Sequence, residues 1–183
     1  MKIKITMTTL ALTLALGACG KVQEAATEKV AQKMIESAIS KDGTQAKVDL
    51  SSGGAKITTT DASGKTMQME MGGAKVTEAD VGVPFYPGTK LAEGQATRVT
   101  TPDGSSVTVG LRSGDASDKV VAFYRDKLKA QAEGRQLMDM SAGDGNYTLM
   151  LADEKSKGAI QVHVMKADKG TNIQIVSTRS TAK

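Results

Sequence analysis

Three methionines, Met67, Met69 and Met71, occupy alternate positions in a segment whose hydrophobic residues recur at every second position. Alternate residues of a strand point to the same side of a sheet, so the spacing predicts three thioethers on one face. Soft thioethers favour Cu(I), which makes this strand a candidate metal site. The favoured alternative is packing in a core or an interface, because methionine is a flexible filler and the chain has ten methionines.

Other residues that carry chemistry are sparse. His163 is the single histidine, and its neighbours place it on the polar side of a predicted strand, so a triad or a multi-histidine metal site lacks its other members. Asp115 and Asp118 precede or begin a predicted helix, where negative charge interacts favourably with the helix dipole. The sequence therefore predicts no enzyme, no catalytic residues and no cofactor.

The single cysteine, Cys19, follows Lys2, Lys4 and an apolar run over residues 5–16. This order of a basic start, a short apolar stretch and small residues is typical of a secretory signal, and the apolar run is shorter than the roughly 20 residues that span a bilayer. The tetrapeptide at 16–19, Leu-Gly-Ala-Cys, resembles the lipobox of bacterial lipoproteins. The resemblance covers the first twenty residues.

The resemblance implies that the thiol of Cys19 receives a diacylglycerol, that residues 1–18 are removed and that the new amino terminus is usually acylated. Two or three acyl chains hold a protein durably at a bilayer, which would make the bilayer a partner. The alternative is an ordinary signal cleaved near Gly17 or Ala18, with Cys19 left as a free thiol. Acylation is favoured because the chain has no second cysteine for a disulfide.

Position and charge add two expectations about location and partners. In enteric-type lipoproteins an aspartate directly after the acylated cysteine retains the protein at the inner membrane, so Gly20 implies the outer membrane, facing the periplasm. Removing residues 1–18 removes Lys2 and Lys4 and lowers the formal net charge from +4 to +2. Basic and acidic residues alternate along the rest of the chain, which argues against nucleic acid as a partner.

The hydrophobic pattern divides the chain into four parts: the signal peptide at 1–18, a lipidated tether with an amphipathic helix at 19–43, a β-meander at 44–78 and an α+β domain at 79–183. Residues 21–40 have the spacing of a helix, which we interpret as a tether rather than a docking helix. Residues 46–77 have the period of strands joined by glycine-containing turns.

The α+β domain is predicted as an antiparallel sheet covered by one helix, in the order ββαββββ. Two strands flank residues 102–104, a helix from about 118 to 132 is capped by Asp115 or Ser117, and four strands follow near 135–140, 146–152, 159–165 and 171–177. The short connections between strands exclude the helical crossovers that a parallel sheet needs. Whether the meander packs on this domain is left open.

Two motifs, Pro-x-Tyr-Pro-Gly at 84–88 and Val-x-x-Phe-Tyr-x-x-x-Leu at 120–128, resemble a module found in uncharacterised bacterial exported proteins and lipoproteins. The resemblance covers residues 80–180 and implies a fold but no activity. Together with the lipobox it leads us to expect a membrane-anchored cell-envelope lipoprotein with a non-catalytic binding or structural domain and an envelope protein as partner. The alternative is a periplasmic metal or small-ligand binder that uses Met67, Met69 and Met71.

Overall fold

A computed structural model describes residues 20–40, 43–50 and 53–181. Side chains are described for the same ranges except 20–26 and 93. The predicted signal peptide and Cys19 lie outside the described residues.

The described residues form three helices and nine strands. The helices are α1 (Gly20–Ile39), α2 (Glu78–Val81) and α3 (Ser117–Lys129). The strands are β1 (Gln45–Asp49), β2 (Ala55–Thr60), β3 (Thr66–Met71), β4 (Lys90–Thr101), β5 (Gly104–Ser113), β6 (Gln136–Gly143), β7 (Asn146–Asp153), β8 (Gly158–Lys166) and β9 (Thr171–Ser180).

All nine strands belong to one antiparallel sheet in the order β1-β2-β3-β4-β5-β9-β8-β7-β6. The large antiparallel sheet with few helices agrees with the predicted α+β class. The meander, β1 to β3, is continuous with the rest of the sheet because β3 pairs with β4 from Gln68 opposite Thr100 to Met71 opposite Thr97. The pairing of β5 with β9 joins segments far apart in sequence, from Gly104 opposite Ser180 to Ser113 opposite Thr171.

The turns follow from local chemistry. Between β2 and β3, the Asp61 carboxylate accepts hydrogen bonds from the backbone N–H groups of Ser63 and Lys65, both at 2.9 Å, and Gly64 has a φ of 82°. Between β8 and β9, Gly170 has a φ of 80°, and a Cβ there would lie 2.0 Å from the Ser113 carbonyl oxygen. A side chain at Gly170 would therefore prevent this turn from approaching β5.

The hydrophobic core lies between one side of the sheet and two covers, α3 and the segment at 74–86 that contains α2. Helix α3 buries Val120, Val121, Tyr124 and Leu128 against β6, β7 and β8, whose inward residues include Leu149. The other inward residues of the sheet are Ala96, Val107, Val109, Leu111, Leu151, Ile160, Val162, Val164, Ile173 and Ile175. The predicted helix face is thus the buried one.

Aromatic residues connect the segment before β4 to α3. The buried Tyr124 hydroxyl accepts a hydrogen bond from the Tyr86 backbone N–H at 3.1 Å, and burial raises the pKa of Tyr124 far above its usual value. The Phe123 ring lies edge-on to both Tyr86 and Tyr124, with ring centroids 5.2 Å apart in each pair. The motif at 84–88 is therefore held by α3.

Two expectations about the helices are wrong. The prediction of one helix over the sheet missed α2, where Asp80 accepts a hydrogen bond from the Thr77 backbone N–H at 2.8 Å and forms an ion pair with Arg98 at 2.9 Å. The N-cap of α3 is Ala116, without a side-chain hydrogen bond, instead of Asp115 or Ser117. A four-residue helix is too short for a periodic pattern, and the Asp115 carboxylate is occupied by the Tyr86 hydroxyl.

Helix α1 lies along the β1 edge of the sheet. The backbone N–H of Val48 donates to the Glu36 carboxylate at 2.8 Å, and the backbone N–H of Ala46 donates to the Ser40 hydroxyl at 3.0 Å. These alternate N–H groups point away from β2, so α1 satisfies donors that an edge strand leaves unpaired. None of the described helices has the combination of length and apolar character required to span a membrane.

Replacing Tyr124 with phenylalanine is expected to lower the free energy of unfolding by about 1–3 kcal/mol, because the buried Tyr86 N–H loses its acceptor. Urea unfolding of the purified variant measures this change. The matched control is Tyr147→Phe, which removes an exposed hydrogen bond to Asp118 and is expected to cost less than about 1 kcal/mol. Equal losses in the two variants would contradict the role of Tyr124.

Candidate functional site

The three predicted methionines lie in β3 on the side of the sheet away from α3. Met69 is opposite Ile57 of β2 and Val99 of β4. Met67 and Met71 are 39% and 38% exposed, and none of the three belongs to the buried core of the described residues. The structure thus places their thioethers on a surface.

Strand pairing brings four further methionines to the same side of the sheet. The core residue Leu149 of β7 is opposite Val162 of β8, so the neighbouring pair Met150 and Gln161 faces away from α3. Applied across all nine strands, this alternation puts seven methionines on one side: Met67, Met69, Met71, Met138, Met140, Met150 and Met165. We call this side the methionine face.

The centre of the methionine face is uncharged. At the strand-paired positions of this face, the uncharged residues other than methionine are Val, Ile, Ala, Gly, Ser, Thr, Asn, Gln and His. The only charged residues at the described paired positions are Lys90 and Arg112, which lie at one end of the face. Exposed sheet faces usually carry charged side chains, whereas protein interfaces are depleted of them and enriched in methionine. The composition is therefore closer to that of a protein interface than to that of a solvated sheet face.

The dimensions of the methionine face are comparable to those of a protein–protein interface. Nine strands spaced about 4.8 Å apart span about 40 Å, and the distance from Ala159 to Met165 along β8 is about 20 Å. The product, about 800 Å², is the outline of the whole face, including the β1 margin where Val48 is already buried, and it is comparable to the area that each partner buries in an interface of ordinary size.

His163 lies in the middle of this face. Its Nδ1 atom is 3.0 Å from the Thr148 hydroxyl, which fixes the orientation of the half-buried ring. Gln161 and Met165 flank it on the same side of β8, and Gln174 is opposite it on β9. These neighbours make His163 a polar member of the methionine face.

The two aspartates at the start of α3 tie it to other elements. The Asp115 carboxylate accepts a hydrogen bond from the Tyr86 hydroxyl at 2.6 Å and one from Lys119 at 3.0 Å, and both partners, Tyr86 first, lower the pKa of Asp115. The Asp118 carboxylate accepts a hydrogen bond from the Tyr147 hydroxyl at 2.5 Å. Both carboxylates thus have structural partners.

A partly enclosed cavity of about 460 Å³ lies on the α3 side, where α3 ends above β7, β8 and β9. Its charged residues are already engaged: Arg135 lies 3.8 Å from Asp153, and Arg179 donates to the Ala79 carbonyl at 2.7 Å. Hydrogen bonds from Ser156 are the largest cause of the lowered pKa of Asp153. An ionised, paired carboxylate is a weak candidate for a general acid.

The conventional metal-binding side chains are not clustered within the part of the chain whose side chains are described. No group of three or more His, Cys, Asp or Glu there could hold a metal ion. The thioethers of β3 therefore remain the set to which the Cu(I) prediction applies, since Met67, Met69 and Met71 are consecutive outward residues of one strand. Cys19 lies outside the described residues.

Sequence reasoning missed Met138, Met140, Met150 and Met165 as members of the face. The alternation within each strand was a usable signal, since Val162 and Val164 face the core and Met165 follows them with the opposite orientation. The sequence could not show that β3 and β6 present their methionines on the same side. That depends on the pairing of β5 with β9.

A family model described as START domain-like matches residues 94–171, from within β4 to the first residue of β9. This similarity supports the α+β module predicted for this part of the chain and is compatible with a ligand-binding domain that has no catalytic role. No curated protein and no solved structure matches the chain.

A lysine on the methionine face is expected to be tolerated by the fold. Met140 is 50% exposed, so Met140→Lys should change the free energy of unfolding by less than about 0.5 kcal/mol. The control, Leu149→Lys, places the charge in the core from the neighbouring strand and should prevent folding. Urea unfolding checks both. A large loss for Met140→Lys would mean that the chain itself covers this face.

Proposed function

We propose that this protein is a cell-envelope lipoprotein whose sheet domain is a non-catalytic binding module for another envelope protein. Acyl chains on Cys19 anchor it to the bilayer, with the outer membrane facing the periplasm favoured because Gly20 follows the cysteine. The observation that carries the binding function is the methionine face, which has an uncharged centre, seven methionines and the area of an ordinary interface.

The physical argument starts from solvation. An exposed side of a sheet gains solubility from charged side chains, and this sheet has them on the other side of the meander, where Lys56 pairs with Glu70 at 3.0 Å. In the same two strands, β2 and β3, the residues on the methionine face are Ile57 and Met69. Burying such residues against a partner is favourable by about 25 cal/mol per Å² of apolar area, while flexible methionines adapt to the partner's shape.

A partner protein is favoured over a small molecule for two reasons. The surface extends across nine strands, far wider than a drug-sized ligand. Its hydrogen-bonding residues extend from Thr59 of β2 through Thr97 of β4 to His163 of β8, as such groups do in a protein interface. A second copy of the chain is the competing occupant that the experiment below distinguishes.

Crosslinking in intact cells, followed by affinity purification and mass spectrometry, tests the partner. The variant Met138→Lys/Met150→Lys puts two charges on directly opposed positions of the face and is expected to abolish recovery of a partner seen with wild type. The control Ala122→Lys/Ala130→Lys adds the same charge to exposed positions of α3 and its end and should retain the partner.

Three results would count against this part of the proposal. In the first two, wild type recovers no specific partner or recovers only another copy of itself. Alternatively, the two double variants would behave alike, which would show that added charge rather than the face determines recovery.

The anchor is tested by comparing wild type with Cys19→Ala in a bacterial host that acylates lipoproteins. Wild type is expected to carry the added mass of acyl chains and to fractionate with the outer membrane, and Cys19→Ala is expected to lack both properties. Intact-mass spectrometry and flotation of membranes measure these outcomes. An unmodified, soluble wild type would refute the anchor and leave Cys19 as a free thiol.

The second candidate function is Cu(I) binding at β3, favoured by Met67 and Met71 being partly exposed on the same side as Met69. Calorimetry under reducing conditions is then expected to show binding tighter than about micromolar, lost in Met67→Leu/Met69→Leu/Met71→Leu. The control Met138→Leu/Met140→Leu removes thioethers from β6 and should bind as wild type. Equal loss in both variants, or no binding by wild type, refutes this site.

A further inference from the structure

At one end of the methionine face, Lys90, Arg112 and Lys169 line an open cavity of about 740 Å³. We call these three residues the basic end. Leu91 also lines the cavity and is exposed at the end of β4, although it is opposite the core residue Leu111 and thus on the other side of the strand from Lys90. Among the residues described, no aspartate or glutamate lines this cavity, and Asp168, the neighbour of Lys169, is outside its lining. The cavity thus presents positive charge beside an apolar side chain.

Two of these cations are held together by strand pairing. Lys90 and Arg112 are directly opposite each other in β4 and β5. Like charges at opposed positions destabilise a sheet, unless a negative group lies between or above them. Their neighbour on the far side, Asn172 of β9, is neutral. The arrangement therefore suits an anion.

Arg112 differs from the other arginines. Arg98, Arg125 and Arg135 form ion pairs with Asp80, Asp139 and Asp153, and Arg179 donates to a carbonyl. Within the described side chains, Arg112, Lys90 and Lys169 make no ion pair. Since an arginine guanidinium matches phosphate geometry with two parallel hydrogen bonds, an unpaired Arg112 is suited to a phosphate group.

Helix α1 directs the start of the described chain toward the same end of the sheet. Its contacts with β1 run from Glu36 at Val48 to Ser40 at Ala46, so α1 is antiparallel to β1. From Glu36 back to Gly20 the helix extends about 24 Å. Along β5, the distance from Ser106, in the row of Val48, to Arg112 is about 20 Å. Since β1 and β5 run in the same direction, α1 leads back toward the end of the sheet that carries Arg112.

We propose that the basic end binds the anionic headgroups of a lipid bilayer, with Leu91 entering the headgroup region. The choice of a bilayer as occupant rests on the proposed function, because Cys19, the residue proposed to be acylated, directly precedes Gly20. Charge complementarity and the exposed leucine favour a phospholipid surface over a soluble anion. The basic end then orients the anchored domain so that the uncharged centre of the methionine face stays accessible.

Vesicle sedimentation tests this with unacylated residues 19–183 carrying Cys19→Ser, a chain that retains all of the described structure. Binding to phosphatidylcholine vesicles containing phosphatidylglycerol should exceed binding to pure phosphatidylcholine and weaken in about 1 M salt. The variant Lys90→Gln/Arg112→Gln/Lys169→Gln is expected to reduce the partition coefficient about 100-fold, from about fivefold for each lost charge.

The matched control is Lys65→Gln/Lys155→Gln/Lys157→Gln, which removes the same charge from turns at the opposite end of the sheet. It should partition within about twofold of wild type, because these residues lie several Debye lengths from the bilayer in the proposed orientation. Equal losses in the two triple variants, or equal binding to both kinds of vesicle by wild type, would overturn the proposal.

A second readout uses the absence of tryptophan from the chain. Leu91→Trp should shift its fluorescence to shorter wavelength with the anionic vesicles, while Ala62→Trp, in the turn at the opposite end, should not shift. No shift at position 91 would refute entry of this residue into the bilayer. If inorganic phosphate alone stabilises wild type but not the first triple variant against heat, the ligand is a soluble anion and the bilayer proposal is wrong.

The test separates this inference from the anchor. The chain carries no acyl group, so a finding that Cys19 is unmodified in cells would refute the anchor and leave the vesicle result standing. Conversely, loss of the preference for anionic vesicles would refute the basic end as a bilayer site, while acylation of Cys19 would still stand on its mass.

Discussion

The antiparallel pairing of β5 with β9 is the constraint on which the rest of the structure depends. It joins the strands up to β5 to the four strands after α3, and it extends without interruption from Gly104 opposite Ser180 to Ser113 opposite Thr171. Because side chains alternate along a strand, this register determines which side of β1 to β5 continues the α3 side of β6 to β9. A shift by one residue would place the core residues of β5 on the same side as Met150 and Met165.

The described chain covers the two sides of the sheet unequally. Helix α3 and residues 74–86 cover one side, whereas on the methionine face the described chain covers the β1 margin, where Val48 is 4% exposed beside α1. On the α3 side, β7 and β8 bury valine, leucine and isoleucine under α3, and β5 and β9 bury them under the segment at 74–86 that contains α2. Over the meander the distribution is reversed, with Lys56 and Glu70 on the α3 side and Ile57 and Met69 on the other. The more apolar side of the sheet is thus the methionine side in β1 to β3 and the α3 side from β5 onward. At its described, paired central positions the methionine face has no charged residue.

The proposed anchor, binding face and bilayer site form one physical arrangement. An acyl anchor restrains position but not orientation, since the chain can rotate about it. A set of three cations at the same end as the start of α1 would supply a preferred orientation. The methionine face would then be presented to the periplasm at a constant angle, which lowers the orientational cost of binding a membrane-bound partner.

Local patterns in the sequence determined much of this protein: the α+β class, the helix of α1, the period-two strands, the glycine turns and the orientation of residues within β8. Their signals lie within a few residues, where backbone geometry and solvation act directly. Helix α2 escaped prediction because four residues are too few for a periodic pattern, and the N-cap of α3 escaped because the Asp115 carboxylate is held by Tyr86, a residue distant in sequence. Only the tertiary structure placed seven methionines on one side of the sheet and Lys90 opposite Arg112, because strand order and register depend on pairing between distant segments.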